Sequence, residues 1–193
     1  MAQAEPPAAR LSTLSDEDLA LLVRKRDELA FETLLTRHEE RVFHLALRIV
    51  GRAEEARDVA QEVFLGYWED PGAYRPTAKF TTWLYRVTSN RSISHLRSRS
   101  IRRIFSFSDN APTEVAPDPD ESADDRVVRE ERDATLSNEI NRLPPRQRAA
   151  LHLRYEVGLP VIEVAESLGI SFKSAESLLF RAKSTLRDRL NLE

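Results

Sequence analysis

The chain contains no cysteine, one methionine and only five glycines in 193 residues. Without thiols there is no disulfide framework and no thiolate metal site, which fits a reducing compartment. Scarce glycine, few alternating β-branched runs and abundant Ala, Leu, Arg and Glu argue for an all-α chain. No apolar run approaches the roughly 20 residues needed to cross a bilayer. The opening MAQAEPPAAR also lacks the apolar stretch of a signal peptide, so a cytoplasmic protein without membrane insertion is expected. His38, His44, His95 and His152 are scattered, with no i,i+4 pair and no Gly-rich phosphate loop beside them. The reading is therefore of a chain that is not an enzyme, with no catalytic residue, metal ligand or cofactor site.

What is present is charge, sorted along the chain. The net charge of −3 hides ten acids against three arginines between Asp109 and Asp133. It also hides eight Lys or Arg and no acid between Pro71 and Ser108, where aromatic residues are interleaved. Cations held against phosphates give sequence-independent affinity through counterion release, and a stacked base adds about 1–3 kcal/mol on an aromatic face. The 71–108 stretch thus reads as a nucleic-acid surface.

Periodicity divides the chain into a disordered tail over 1–14, a helical domain over 15–105, a flexible acidic linker over 106–128 and a second helical domain over 129–193. Ser15 followed by three acids predicts a capped helix to about Lys25, and a longer helix over 28–50 stops at Gly51. A third helix, about Ala53 to Trp68, has Ala56, Val59, Ala60, Val63, Phe64 and Tyr67 on one face. Its other face carries Asp58, Gln61, Glu62 and Leu65, a leucine set in an acidic outward stripe. After the Asp70-Pro71-Gly72 break, a helix from about Phe80 to Arg99 aligns Trp83, Arg86, Asn90, Ser94 and Arg97. The linker is too poor in apolar residues to fold, helix resumes near 129–142, and Pro145 sits in the first turn of the next helix, about 146–157.

The last two helices have the pattern of a helix-turn-helix. Val161, Val164, Ala165 and Leu168 form one short face, Gly169 makes the turn, and Ser171 caps a helix whose inward stripe is Ala175, Leu178, Leu179, Ala182, Leu186 and Leu190. The face opposite, with Lys173, Ser174, Ser177, Phe180, Arg181 and Ser184, is the candidate for the major groove of duplex DNA. Phe180, aimed away from the core, suits a thymine methyl or a sugar edge.

The segments RDVAQEVFLGYW, FTTWLYRVTSNRSISHLR and LPPRQRAALHLRYEVGLPVIEVAESLGISFKSAESLLFRAK together resemble bacterial extracytoplasmic-function sigma factors of the sigma-70 family. The resemblance spans nearly all of 30–190 outside the linker. It implies that the first domain is similar to sigma region 2, which binds RNA polymerase core and melts the promoter −10 element. The second is similar to region 4, which reads the −35 element as duplex. On this resemblance Asp58, Gln61, Glu62 and Leu65 form the dock for a large polymerase subunit. Tyr74, Arg75, Lys79, Phe80, Trp83, Arg86, Asn90 and Arg97 form the surface for the melted −10 strand, and the helix-turn-helix residues above form the −35 surface. It further implies stress or envelope-response promoters and an anti-sigma factor as a partner.

Glu176 and Leu178 depart from the basic residues frequent in that family, and Lys183 replaces a frequent arginine, which touches the −35 preference. The competing reading is a helix-turn-helix regulator that binds duplex DNA without polymerase core. It accounts for the second domain and gives no reason for the cationic, aromatic surface of the first.

Overall fold

Residues 11–105 and 135–190 are described by the computed structural model, and among them the secondary structure is helical with no strand. Helix α1, Asp16–Val23, starts where the Ser15 hydroxyl accepts the Asp18 N–H at 3.1 Å. The Asp27 carboxylate does the same for α2, Glu28–Val50, which ends on Gly51 at φ 81°. That left-handed value favours glycine. Helix α3 spans Ala53–Glu69, and Asp70 then accepts the Gly72 N–H to hold the 3₁₀ turn Pro71–Ala73. Helix α4, Phe80–Phe105, is capped from a distance, since the Phe80 N–H donates to Glu17 Oε1 at 2.9 Å. It outruns the expected end at Arg99 because no glycine or proline interrupts 99–105.

These helices enclose a first core containing Leu19, Leu34, Val42, Val59, Val63, Tyr67, Phe80 and Leu84. Residues 11–14, expected as tail, belong to it. Leu11 and Leu14 pack on the core, and the Arg37 guanidinium donates to the carbonyls of Leu11, Ser12 and Leu14 and to Asp16 Oδ1. The clamp lies more than twenty positions along the chain, so local pattern does not announce it. Arg26, at φ 66°, braces the other end of the domain by donating to the carbonyls of Trp68 and Glu69.

The linker over 106–128 and the start of the following helix lie outside the described residues. The second domain is described from α5, residues 135–141, onward. Helix α6, Pro145–Leu151, has proline in its first turn and runs into a π turn, His152–Glu156, rather than staying α-helical to Val157. Gly158, at φ 81°, closes that segment. Helix α7, Val161–Leu168, stops at Gly169 with φ 62°, and α8, Phe172–Leu190, begins where the Ser171 hydroxyl accepts the Ser174 N–H. The angle between α7 and α8 is thus set by a left-handed glycine and a serine cap.

A second core joins the two domains. Leu45 and Ile49 of α2 and Tyr85 and Ile93 of α4 pack with Leu143, Ala149, Leu153, Val164, Leu168 and Leu179. In this arrangement α6 lies on α2 and α7 lies on α4. Ion pairs rim the junction: Arg48 Nε to Glu156 Oε2 at 3.0 Å, and Lys79 Nζ to Glu163 Oε1 at 3.5 Å. His152 Nδ1 also lies 3.0 Å from Glu156 Oε2. Burial alone raises the Glu156 pKa, but His152 and Arg48 outweigh it and hold the carboxyl below its ordinary value.

Candidate nucleic-acid interface

Asp58, Gln61, Glu62 and Leu65 all stand exposed on α3, opposite the buried Ala56, Val59, Val63, Phe64 and Tyr67. Leu65 is 51% exposed within this polar stripe, while Arg91 of α4 donates to Glu62 at 3.2 Å from its edge. Next to the stripe, Glu39, Glu40 and Phe43 of α2 and Arg57 and Ala60 of α3 line an open groove of about 340 Å³. Arg57 lies over the Phe43 ring at 6.0 Å. Phe43 is only partly buried against the first core, and Arg57 and Ala60, three positions apart on α3, form the facing wall of the groove.

The cationic surface differs from expectation in its aromatic part. Tyr74 and Phe80, expected among the residues facing the −10 strand, are 2% and 0% exposed. They belong to a ring cluster in which Tyr74 lies 5.2 Å from Phe80 and 5.7 Å from Trp83, and Tyr67 lies 5.1 Å from Trp83. Edge and tilted ring contacts of this kind add about 0.5–1.5 kcal/mol to a core beyond the area they bury. Tyr74 also fixes the loop, its hydroxyl donating to the Ala78 carbonyl at 2.9 Å. Desolvation raises the Tyr67 pKa far above that of a free phenol, so its hydroxyl is neutral within the cluster. Trp83 is half-buried and carries the cluster to the surface. Arg75, Lys79, Arg86, Asn90 and Arg97 are exposed. The outer surface is therefore cationic and polar around one tryptophan, and Tyr74 and Phe80 are the foundation beneath it.

The helix-turn-helix face is open. Lys173, Ser174, Ser177 and Arg181 are exposed, Ser184 is half-buried, and Phe180 is 74% exposed. Arg181 Nε donates to the Ser177 carbonyl at 3.3 Å, which holds the guanidinium along the helix. Ala175, Leu179 and Ala182 form the buried side, with Leu178 and Leu186 partly covered. One aromatic of this neighbourhood was not foreseen. Tyr155, 57% exposed in the π turn, has Lys183 Nζ 6.0 Å and Arg154 Cζ 5.8 Å from its ring centre. A 3.6-residue period cannot find it, because the π turn rotates it away from the phase of α6.

Residues 34–101 match the family described as Sigma-70 region 2, and residues 134–186 match Sigma-70, region 4. The RNA polymerase sigma-H factor of Pseudomonas aeruginosa is 31% identical over 186 residues, covering 91% of this chain and 94% of that protein. The chain belongs to the sigma-70 family of sigma factors. Its relatives place it in the extracytoplasmic-function group: SigW of Bacillus subtilis is 27% identical over 87% of this chain and 92% of its own length. SigL of Mycobacterium tuberculosis is 31% identical over 93% and 94%. This sigma factor also shares its fold with solved structures. CnrH, in complex with the cytosolic domain of CnrY, superposes with a TM-score of 0.65 at 24% identity over 92% of this chain and 98% of that one. The sigma factor RpoE of Bartonella quintana, in complex with the anti-sigma factor NepR, gives 0.68 at 19% over 84% and 98%. Both regions lie in the expected order, so the reading as a free-standing helix-turn-helix regulator, which left the first domain without a role, does not hold.

Proposed function

We propose that this sigma factor docks on RNA polymerase core through Asp58, Gln61, Glu62 and Leu65, holds the unpaired −10 strand along α4, and reads the −35 duplex with α8. The observation that carries the reading is the two-sidedness of α4. Its buried side builds both cores, while its acid-free outer side presents Arg86, Asn90 and Arg97 beside Arg75 and Lys79. Phosphates running along such a helix gain from every cation and meet no acid on the helix itself. Binding the unpaired strand better than the duplex supplies the free energy of melting, so no catalytic group, metal or cofactor is invoked. Work of this kind takes place in the cytoplasm, at stress or envelope-response promoters. An anti-sigma factor is the proposed regulator, a reading supported by the complex of RpoE of Bartonella quintana with the anti-sigma factor NepR.

The test is open-complex formation with core polymerase. Trp83→Ala with Asn90→Ala should leave core binding intact and reduce permanganate-reactive thymines at the −10 element. Normal melting by the double variant would show that the strand lies elsewhere.

A further inference from the structure

Residues 70–79 connect α3 to α4, and of these 75–79 stand exposed between the buried rings of Tyr74 and Phe80. The loop thus has a fixed base and an open tip. Within the base Asp70 accepts the Gly72 N–H, and the Tyr74 hydroxyl donates to the Ala78 carbonyl. The two helix ends beside it lack the charge that suits them: α3 has no basic residue in its last turn, and α4 has no acid in its first. Carbonyls at a helix C-terminus favour a cation, and N–H groups at an N-terminus favour an anion.

Helix α1 and the turn that closes it supply both charges. Arg26 donates to the Trp68 carbonyl and, at 3.2 Å, to the Glu69 carbonyl, with its guanidinium 5.6 Å from the centre of the Trp68 ring. Glu17, half-buried, accepts the Phe80 N–H at 2.9 Å. Held on α1, this carboxylate completes the end of α4 while the segment 71–108 stays free of acid. Helix α1 is itself pinned to α2, because Asp16 meets Arg37 at 2.8 Å and His38 at 2.7 Å.

The backbone of Arg26 gives an independent sign that its side chain is needed. The turn after α1 closes with Arg26 at φ 66°, its N–H on the Val23 carbonyl at 2.8 Å and the Asp27 N–H on the Leu22 carbonyl at 3.2 Å. Glycine fits such a position without steric penalty, and the other left-handed residues among those described, Gly51, Gly158 and Gly169, are glycines. A strained backbone held in place by side-chain contacts points to a task for the side chain. Resting on the assignment of Arg75 and Lys79 to the unpaired −10 strand, we infer that Glu17 and Arg26 are positioning residues for strand capture. They hold the loop at its two ends, so its cations meet the strand already ordered, and less freedom is lost on binding.

The test uses the full chain with polymerase core. Glu17→Ala and Arg26→Gly should each slow the appearance of permanganate-reactive thymines at the −10 element about three- to tenfold, the cost of ordering one or two side chains on binding. Core affinity and circular dichroism should stay at the level of the parent. Arg26→Gly is the more telling variant, because it relieves the backbone while it removes the guanidinium. Glu17→Gln keeps an acceptor oxygen for the Phe80 N–H and should lose less than Glu17→Ala. A fall in core affinity that matches the loss of melting shows a general structural role and overturns the inference. Arg75→Ala with Lys79→Ala separates the inference from the reading it rests on. This loop variant should slow melting by itself, and Glu17→Ala added to it should slow melting little further, since Glu17 acts through the loop. Normal melting by the loop variant brings down the strand assignment. Slow melting by the loop variant, with normal melting in Glu17→Ala and Arg26→Gly, removes only the positioning role, and a full further loss in the combined variant does the same.

Discussion

The Arg86 guanidinium of the first domain lies over Gly169, the left-handed turn residue of the second, with Nε, Cζ and Nη2 3.4–3.7 Å from the position a Cβ would occupy. At φ 62° any L side chain at this turn is strained. Gly169→Ala should destabilise the chain by about 1–2 kcal/mol, most of it backbone strain, because Arg86 can swing clear at its far end. Urea denaturation checks this, and Arg86→Ala placed on top of Gly169→Ala should recover little of the loss.

On α3, removal of the exposed leucine and reversal of charge at its neighbour test the dock without touching the core. Leu65→Arg with Glu62→Arg should weaken binding to polymerase core about tenfold or more, the scale of an interface hot spot, with circular dichroism unchanged. Loss of helix content instead would place the stripe inside the fold.

At the −35 surface, Arg181→Ala in the holoenzyme should cost about 1–3 kcal/mol and relax preference at one base pair if the guanidinium grips a guanine edge. A uniform loss across promoters with a shallower salt slope assigns Arg181 to phosphate instead. Glu176→Arg, on the same exposed face, should raise duplex affinity and broaden selectivity. Because the second domain shares a core with the first, these measurements belong to the full chain.

His38 predicts a pH dependence. It is buried, with Nε2 2.7 Å from Asp16 Oδ2 and its ring 5.8 Å from that of Phe80. Desolvation, aided by Arg41 and Arg37, outweighs the attraction of Asp16 and lowers its pKa. A lowered folded value means the unfolded chain takes the proton first. The stability His38 contributes is therefore complete above the ordinary imidazole value of about 6.5 and is lost as pH falls through the folded value. Denaturation curves from about pH 8 to pH 5 should show a component with a slope of up to about 1.4 kcal/mol per pH unit that His38→Gln lacks.

Local chemistry made much of this fold legible. Ser15 and Ser171 are caps because short hydroxyls satisfy first-turn N–H groups, and Gly51 and Gly169 are stops because their φ is positive. The two faces of α3 followed from its period alone. Tyr74 and Phe80 resisted the same reasoning, since an aromatic among arginines has one composition whether its ring meets a base or another ring. Leu45, Ile49, Tyr85 and Ile93 resisted it too. An apolar face on α2 or α4 announces burial, but not that the partner lies beyond an acidic segment in a second domain.

The π turn at His152–Glu156 acts as a phase adjuster in the second domain. Each residue of an α-helix advances the side-chain direction by about 100°, so widening one turn shifts whatever follows by a fraction of a revolution. Here that shift lets His152 stay buried while Tyr155 emerges beside Lys183 and Glu156 meets Arg48. Deleting Leu153 or Arg154 should turn Tyr155 and Glu156 to new bearings relative to His152. The segment should tolerate substitution of the exposed Tyr155 better than a change of length.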